Sequence, residues 1–244
     1  MSRIFITGSS DGLGQLSAQW LIKQGHHVVL HARNQTRANE ALLKTSGAEA
    51  VVTSDLSNME EIKTLVPQVN TLGTFDSIIH NAGVYAANPK EILTVNTLAP
   101  YLLTCLLHKP KRLIYLSSGL HKQGKVNLEG IANDHISYSD SKLHVLMLAK
   151  AVARKWPRVY ANAVDPGWVP TKMGGKNAPD DLDKGYETQS WLAVSDDPAT
   201  HVSGRYFFHQ KERPYNTLAD DVDAQEGLLA TLGEHTGILF PASR

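Results

Sequence analysis

Cysteine is nearly absent: Cys105 is the only one in 244 residues. That excludes an intramolecular disulfide and a zinc site built on several thiolates. Cys105 sits in the apolar run Leu102-Leu-Thr-Cys-Leu-Leu107 and reads as a core thiol. Neither sign of charge is in excess, with 24 Lys+Arg against 24 Asp+Glu. No global field is left to attract nucleic acid or an anionic membrane surface, and neither is expected as a partner. No apolar run approaches the roughly 18 residues that span a bilayer. The start, Met1-Ser-Arg, lacks the long apolar segment of a signal peptide. A reducing cytoplasm is the expected setting. The eleven histidines show no HExxH-type or paired spacing, so surface or packing roles are expected and no metal. Repeats, low-complexity tracts and interdomain linkers are missing as well.

What is present suits one sizeable domain, with 42% apolar and 20% charged residues. Short apolar runs over 3–7, 27–32, 50–53, 76–80, 111–116, 158–164 and 204–209 read as seven buried strands. Helical patterns fall between them, over 15–23, from Arg33-Asn34 to 44, from Asn58 onward, 91–108 with a kink at Pro100, and 136–150. A short helix over 185–193 and a closing helix over 220–234 follow. Strict alternation predicts an α/β fold: a doubly wound, parallel, seven-stranded sheet with helices on both faces, in a single domain. Residues 172–190 begin with a stretch rich in Gly, Pro, Asp and Lys and are expected to form a mobile flap.

Two local patterns carry chemistry. The first is Thr7-Gly-Ser-Ser-Asp-Gly-Leu-Gly14, between the first strand and the first helix. A glycine turn opening a helix can hold a pyrophosphate, because free N–H groups and the helix dipole favour an anion. The second is Tyr138-Ser-Asp-Ser-Lys142 on the fifth helix. Positions four apart share a helix face. A fixed ammonium beside a phenol is expected to lower its pKa and make a general acid/base. The remaining unusual polar residues, Thr7, Asp55, Asn81, Ser118 and Thr171, all fall at the carboxyl ends of strands, where doubly wound sheets bind ligands. From the residues alone, Asp55 can equally cap the next helix, and so can Asn96.

These motifs, with Asp55-Leu56, Asn81-Ala82-Gly83, Asn96 and Pro166-Gly-Trp-Val-Pro-Thr171, resemble the classical short-chain dehydrogenase/reductase family from residue 3 to about 173. The long segment from Ser118 to Tyr138, with His121, Gly124 and Lys125-Val-Asn-Leu-Glu129, resembles its retinol-dehydrogenase-like branch. His80 stands where the family often has Asn. The resemblance implies an NAD(P)-dependent oxidoreductase. Gly8, Ser10, Gly12, Leu13 and Gly14 would pass the cofactor pyrophosphate. Asp55 would bond the adenine with Leu56 beside it, and Asn81, Ala82 and Gly83 would line the adenosine side. Pro166, Gly167, Val169 and Thr171 would hold the nicotinamide end. Ser118 would bond the substrate oxygen, Tyr138 would move the proton, Lys142 would hold the ribose hydroxyls, and Asn96 would hold a relay water.

The expected substrate is a small apolar ketone or aldehyde and its alcohol, against a wall of Tyr85, Leu120, His121, Trp168 and Met173. NADP(H) is favoured over NAD(H), which stays possible. Ala32 stands at the end of the second strand where an acid would select NAD, and Arg33 follows it. Asp11 opposes a phosphate unless it pairs with Arg33. The apolar helix 98–107 implies a homodimer or tetramer. The alternatives are an NADP(H)-sensing regulator without turnover and a sugar-nucleotide epimerase or dehydratase on the same fold.

Overall fold

The computed structural model describes residues 1–242. β1 (Arg3–Ile6), β2 (His27–Ala32), β3 (Ala50–Thr53), β4 (Ser77–His80), β5 (Arg112–Leu116), β6 (Tyr160–Asp165) and β7 (Tyr206–Phe208) form a parallel sheet in the order β3-β2-β1-β4-β5-β6-β7. The sheet has eight strands rather than the expected seven. β8 (Lys211–Glu212) adds antiparallel to β7, with Phe207 opposite Glu212. His209 and Gln210 turn the chain with φ of 49° and 60°, the geometry of a two-residue hairpin. Two exposed charged residues have no apolar alternation, so nothing in the sequence marked them as a strand.

Successive strand residues point to opposite faces. Ile4, Ile6, Ile114 and Leu116 enter one core cluster, while Phe5, Leu113 and Tyr115 enter the other. Both faces are therefore covered, which is why the strands read as unbroken apolar runs. The first cluster packs under α1 (Gly12–Lys23), α2 (Gln35–Lys44) and α8 (Leu182–Val194). The second packs under α3 (Met59–Thr71), α5 (Ala99–Leu106), α7 (Tyr138–Lys155) and α9 (Val222–Thr236). A short α6 (Leu128–Ala132) lies before α7. Strand order reverses at β1, which pairs with both β2 and β4, and the crevice beyond that point is where such sheets bind ligands.

Three expectations change. The helix over 91–108 is two helices, α4 (Pro89–Leu93) and α5, joined by a π-helical turn over Thr94–Leu98. Pro100 has no N–H for the carbonyl four residues back, and the Ala99 N–H reaches Thr94 O instead. The disturbance is thus a widened turn ahead of the proline rather than a kink at it. The expected flap is a loop only to residue 181, because 182–190 belong to α8. That helix is fastened to α1 by Ser17 Oγ, which meets Ser190 Oγ at 2.9 Å and accepts from Gln189 Nε2 at 2.6 Å.

The third concerns α5, whose residues 99–104 are all buried. Their cover comes from the chain itself. Tyr101 donates to Ile238 O at 2.7 Å, and the Phe240 ring lies 6.4 Å from Tyr101 and 5.1 Å from Trp156. α7 is covered by Leu228, Leu229 and Leu232 of α9 in the same cluster. The apolar surface from which a second copy was inferred is an internal one. Among the described residues no helix is long and apolar enough to cross a membrane.

Phe240→Ala removes a ring shared by α5 and α7, and a loss of about 1–3 kcal/mol in urea unfolding is expected. Wild-type stability in that variant would mean that the C-terminal segment is not part of the core.

Candidate active site

The glycine turn is dictated by contacts. A Cβ on Gly8, whose φ is +61°, would stand 2.9 Å from the Ala82 Cα. A Cβ on Gly14 would meet Asn81 Nδ2 at 2.4 Å and Gly8 O at 2.5 Å. Only glycine lets the first turn of α1 press against β1 and the loop after β4. Asn81 Nδ2 closes the junction by donating to Thr7 O and Gly8 O at 2.9 and 3.0 Å. His31, buried in β2, accepts from Gly8 N–H at Nδ1 and reaches Ser54 O with Nε2, both at 3.0 Å. These partners fix a neutral Nε2–H tautomer, and burial lowers its pKa to about 4. The histidine expected to be a surface or packing residue therefore holds the turn to the β3 end.

From this turn a cleft of about 670 Å³ runs across the ends of β1, β4 and β5. Gly8, Ser10, Gly12, Leu13, Arg33 and Asp55 line one end of it. Leu56 and Asn81, Ala82 and Gly83 continue it, and Tyr138, Lys142, Pro166, Thr171 and Met173 complete it. Gly14, Gly167 and Val169 support the lining from behind: Gly167 N–H donates to Asp165 Oδ1, and a Cβ on Gly185 would meet Val169 at 2.9 Å.

The Tyr138 end is built from the start of α7. Ser137 and Asp140 form a reciprocal capping box, each side chain taking the other's backbone N–H at 3.1 Å. Asp140 also accepts from Lys125 N–H at 2.8 Å and Asn127 Nδ2 at 3.1 Å, which anchors the long segment before the helix. Tyr138 is thereby fixed in the first turn. The Tyr85 ring stands edge-on to it at 4.8 Å. Lys142, one turn later, is 5% exposed and donates to Leu116 O at 2.9 Å. Ser117 Oγ donates to Lys142 O at 2.8 Å, so the first serine of the pair is a strand-to-helix tie. The second, Ser118, accepts from Leu120 N–H at 3.3 Å and lies close enough to Tyr138 to act on its phenol.

The electrostatics reverse one expectation. Burial raises the Tyr138 phenol to about 12, against the pull of the Ser118 hydroxyl and with a push from Asp165. Burial prevails over Lys142. Its ammonium points to the Leu116 carbonyl and lies 5.4 Å from the phenol ring centroid, and burial lowers its own pKa to about 8 while Asp165 raises it.

Other candidates are placed differently from expectation. Asn96 is buried in the π turn. Its Oδ1 accepts from Val84 N–H at 2.8 Å, and its Nδ2 donates to Val84 O and to Ser141 Oγ at 2.9 and 3.1 Å. Both ends of the amide are thus engaged by protein. His121 leaves the substrate wall, since it is 0% exposed. Its Nδ1 donates to Ser118 O at 2.6 Å, and its Nε2 accepts from Asn216 N–H at 3.2 Å. The short 3₁₀ turn Gly119–Gln123 directs the ring inward onto Tyr206, at 4.6 Å. Tyr85, Leu120, Trp168 and Met173 remain exposed.

Asp55 accepts from Ser57 N–H and Oγ at 2.9 and 2.7 Å, and Asn58 caps α3 instead. Arg33 approaches Asp55 at 3.7 Å and Glu91 at 3.9 Å. Asp11 pairs with Arg37 at 2.9 Å and with Lys172, not with Arg33. Burial pushes the Asp11 carboxyl up, but the bonds from Lys172, Arg37 and Gly12 N–H together hold it at about 2. Sequence reading missed Arg37 and Lys172. Arg37 offered little signal, standing in the first turn of α2 beyond the Asn34 cap. Lys172 had none, because a loop lysine is paired only by the fold.

Comparison with known proteins identifies the family. Residues 2–182 match the family model for short chain dehydrogenase. The chain is 46% identical over 254 residues to an uncharacterized oxidoreductase of Emericella nidulans, covering 99% of each. It is 28% identical to retinol dehydrogenase 14 of Mus musculus, over 86% of this chain and 78% of that one, which supports the retinol-dehydrogenase-like branch. Among solved structures, an uncharacterized protein from Mycobacterium paratuberculosis superposes with a TM-score of 0.82 at 24% identity, covering 99% and 95% of the two chains. A blue fluorescent protein from a metagenomic library, solved in complex with NADPH, gives 0.71 at 20% identity over 85% and 95%. A family match over most of the chain, and a near full-length relative at 46% identity, place this oxidoreductase in the short-chain dehydrogenase family.

Proposed function

We propose that the protein is an NADP(H)-linked reductase that interconverts an apolar ketone or aldehyde and its alcohol. The observation that carries this reading is one cleft with the glycine turn at one end and Tyr138 and Lys142 at the other. Its volume of about 670 Å³ lies within the range of cofactor sites. The residues fit a dinucleotide: Gly8 and Gly14 leave no room for side chains, so the start of α1 packs closely on the sheet and its N-terminus would hold the pyrophosphate. When bound, the nicotinamide supplies the hydride.

The chain's own residues do the rest. Lys142 would donate to the ribose hydroxyls, and Thr171 would hold the carboxamide. Ser118 stabilises the charge that grows on the substrate oxygen. Tyr138 delivers the proton. A phenol raised to about 12 keeps its proton at neutral pH, the state that reduction needs. Tyr85, Leu120, Trp168 and Met173 offer an exposed apolar rim for an uncharged substrate.

Preference for NADP(H) is supported at the end of β2. Ala32 is 1% exposed and puts no acid there. Arg33 and Arg37 both line that end of the cleft. Asp11, which opposes a phosphate, is already compensated by Arg37 and Lys172. Guanidinium groups suit a phosphate through several N–H donors.

A panel of ketones and aldehydes assayed with NADPH and with NADH tests the reading, and a wild-type preference for NADH would end the NADP(H) proposal. Ala32→Asp/Arg33→Ile is expected to lose roughly 2–4 kcal/mol in kcat/KM with NADPH, with no loss for NADH. Tyr138→Phe should bind NADPH normally and lose about 10²–10⁴ in kcat. A near wild-type kcat in that variant would remove Tyr138 as the acid.

A further inference from the structure

Asp165 has no part in the reading above, yet the fold aims it at the same centre. β6 ends at Asp165, one residue beyond Val164, and Val164 pairs with Leu116 of β5. The Leu116 carbonyl is the atom that accepts from Lys142 Nζ. Asp165 and the carbonyl that holds the Lys142 ammonium therefore lie at the ends of two adjacent strands. Oδ1 accepts from Gly167 N–H at 3.0 Å, and Oδ2 accepts from the Tyr206 hydroxyl at 3.1 Å. A Cβ on Gly119, next to Ser118, would stand 3.1 Å from Oδ2.

We infer that Asp165 is a positioning residue, the counter-charge that keeps Lys142 an ammonium inside the cleft and thereby a donor to the ribose hydroxyls of a bound dinucleotide. This rests on the dinucleotide-dependent reading proposed above. Both hydrogen bonds to Asp165 come from neutral donors, so no cation cancels its charge locally. The titratable groups of this region come from several elements. Tyr138 stands on its own helix, Tyr85 on the loop after β4, His121 and Lys122 on the 3₁₀ turn, and Tyr206 on β7. Asp165 acts on Lys142, Tyr138, His121 and Tyr206 together. Asp140, the other acid in this part of α7, is turned away to Lys125, Asn127 and Ser137. An ammonium buried without a counter-charge sheds its proton at lower pH.

The sign follows from the held proton. Lys142 sits near 8 in the folded protein, lowered by burial and supported by Asp165. Replacing the carboxylate with an amide keeps both hydrogen-bonding positions and removes only the charge. NADPH affinity, read from cofactor fluorescence without substrate between pH 7 and 9.5, is the measurement. Wild-type affinity is expected to weaken above a break near pH 8. Asp165→Asn should move that break down by about one unit or more. Tyr206→Phe keeps the charge and should leave the break in place. Should the amide variant not fold, Asp165→Ser, also uncharged, is read the same way. A wild-type break in the uncharged variant, or an equal shift in Tyr206→Phe, overturns the inference. A wild-type protein that binds neither NADPH nor NADH at any pH overturns the dinucleotide reading and this inference with it.

Discussion

A buried ammonium is the constraint on which the centre of this molecule depends. Lys142 lies 5% exposed on the first full turn of α7. Taking such a charge out of water is costly unless acceptors and a counter-charge are fixed around it. The Leu116 carbonyl at the end of β5 supplies the acceptor. Ser117 returns a hydrogen bond to the Lys142 carbonyl, so strand and helix hold each other at that one level. α7 cannot slide or rotate on the sheet without stranding the ammonium, and Tyr138, four residues earlier, inherits that fixed position.

The surrounding structure serves this placement. The capping box of Ser137 and Asp140 sets where α7 starts, and Asp140 gathers the chain before it through Lys125 and Asn127. The π turn places Asn96 against Val84 and Ser141, which packs the loop after β4 close to Lys142. A Cβ on Gly83 would lie 3.4 Å from both Asn96 Oδ1 and Lys142 Nζ. Asn96 thus ties the Val84 backbone and the Ser141 hydroxyl together with its amide. At the other end, the contacts of Gly8 and Gly14 set the distance between α1 and the sheet.

Charge is distributed unevenly along the cleft. At the glycine turn, Asp11 is bracketed by Arg37 and Lys172, which joins the turn to the loop after β6. At the Tyr138 end, burial displaces a lysine and a tyrosine, and the Asp165 carboxylate acts on both. Burial decides the proton states at the Tyr138 end, whereas at the glycine turn the bonds to Asp11 outweigh it.

The alternation of apolar runs with helical patterns determined the parallel sheet, because strands covered on both faces must be apolar throughout. β2 and β3 were legible to the residue, and the glycine turn and the Tyr138–Lys142 spacing lay in plain view because each is local in sequence. The edge strand β8 was not legible, since its two residues are exposed and pair only because β7 is already there. The inward turn of His121, the π turn around Asn96, the pairing of Asp11 with Arg37 and Lys172, and the internal cover over α5 were likewise decided by the tertiary structure. Each joins residues distant in the chain or depends on which face a packed element presents. The same holds for the proton on Tyr138: the sequence set a lysine one turn away, but only the packed fold turned that ammonium toward the Leu116 carbonyl and let burial prevail.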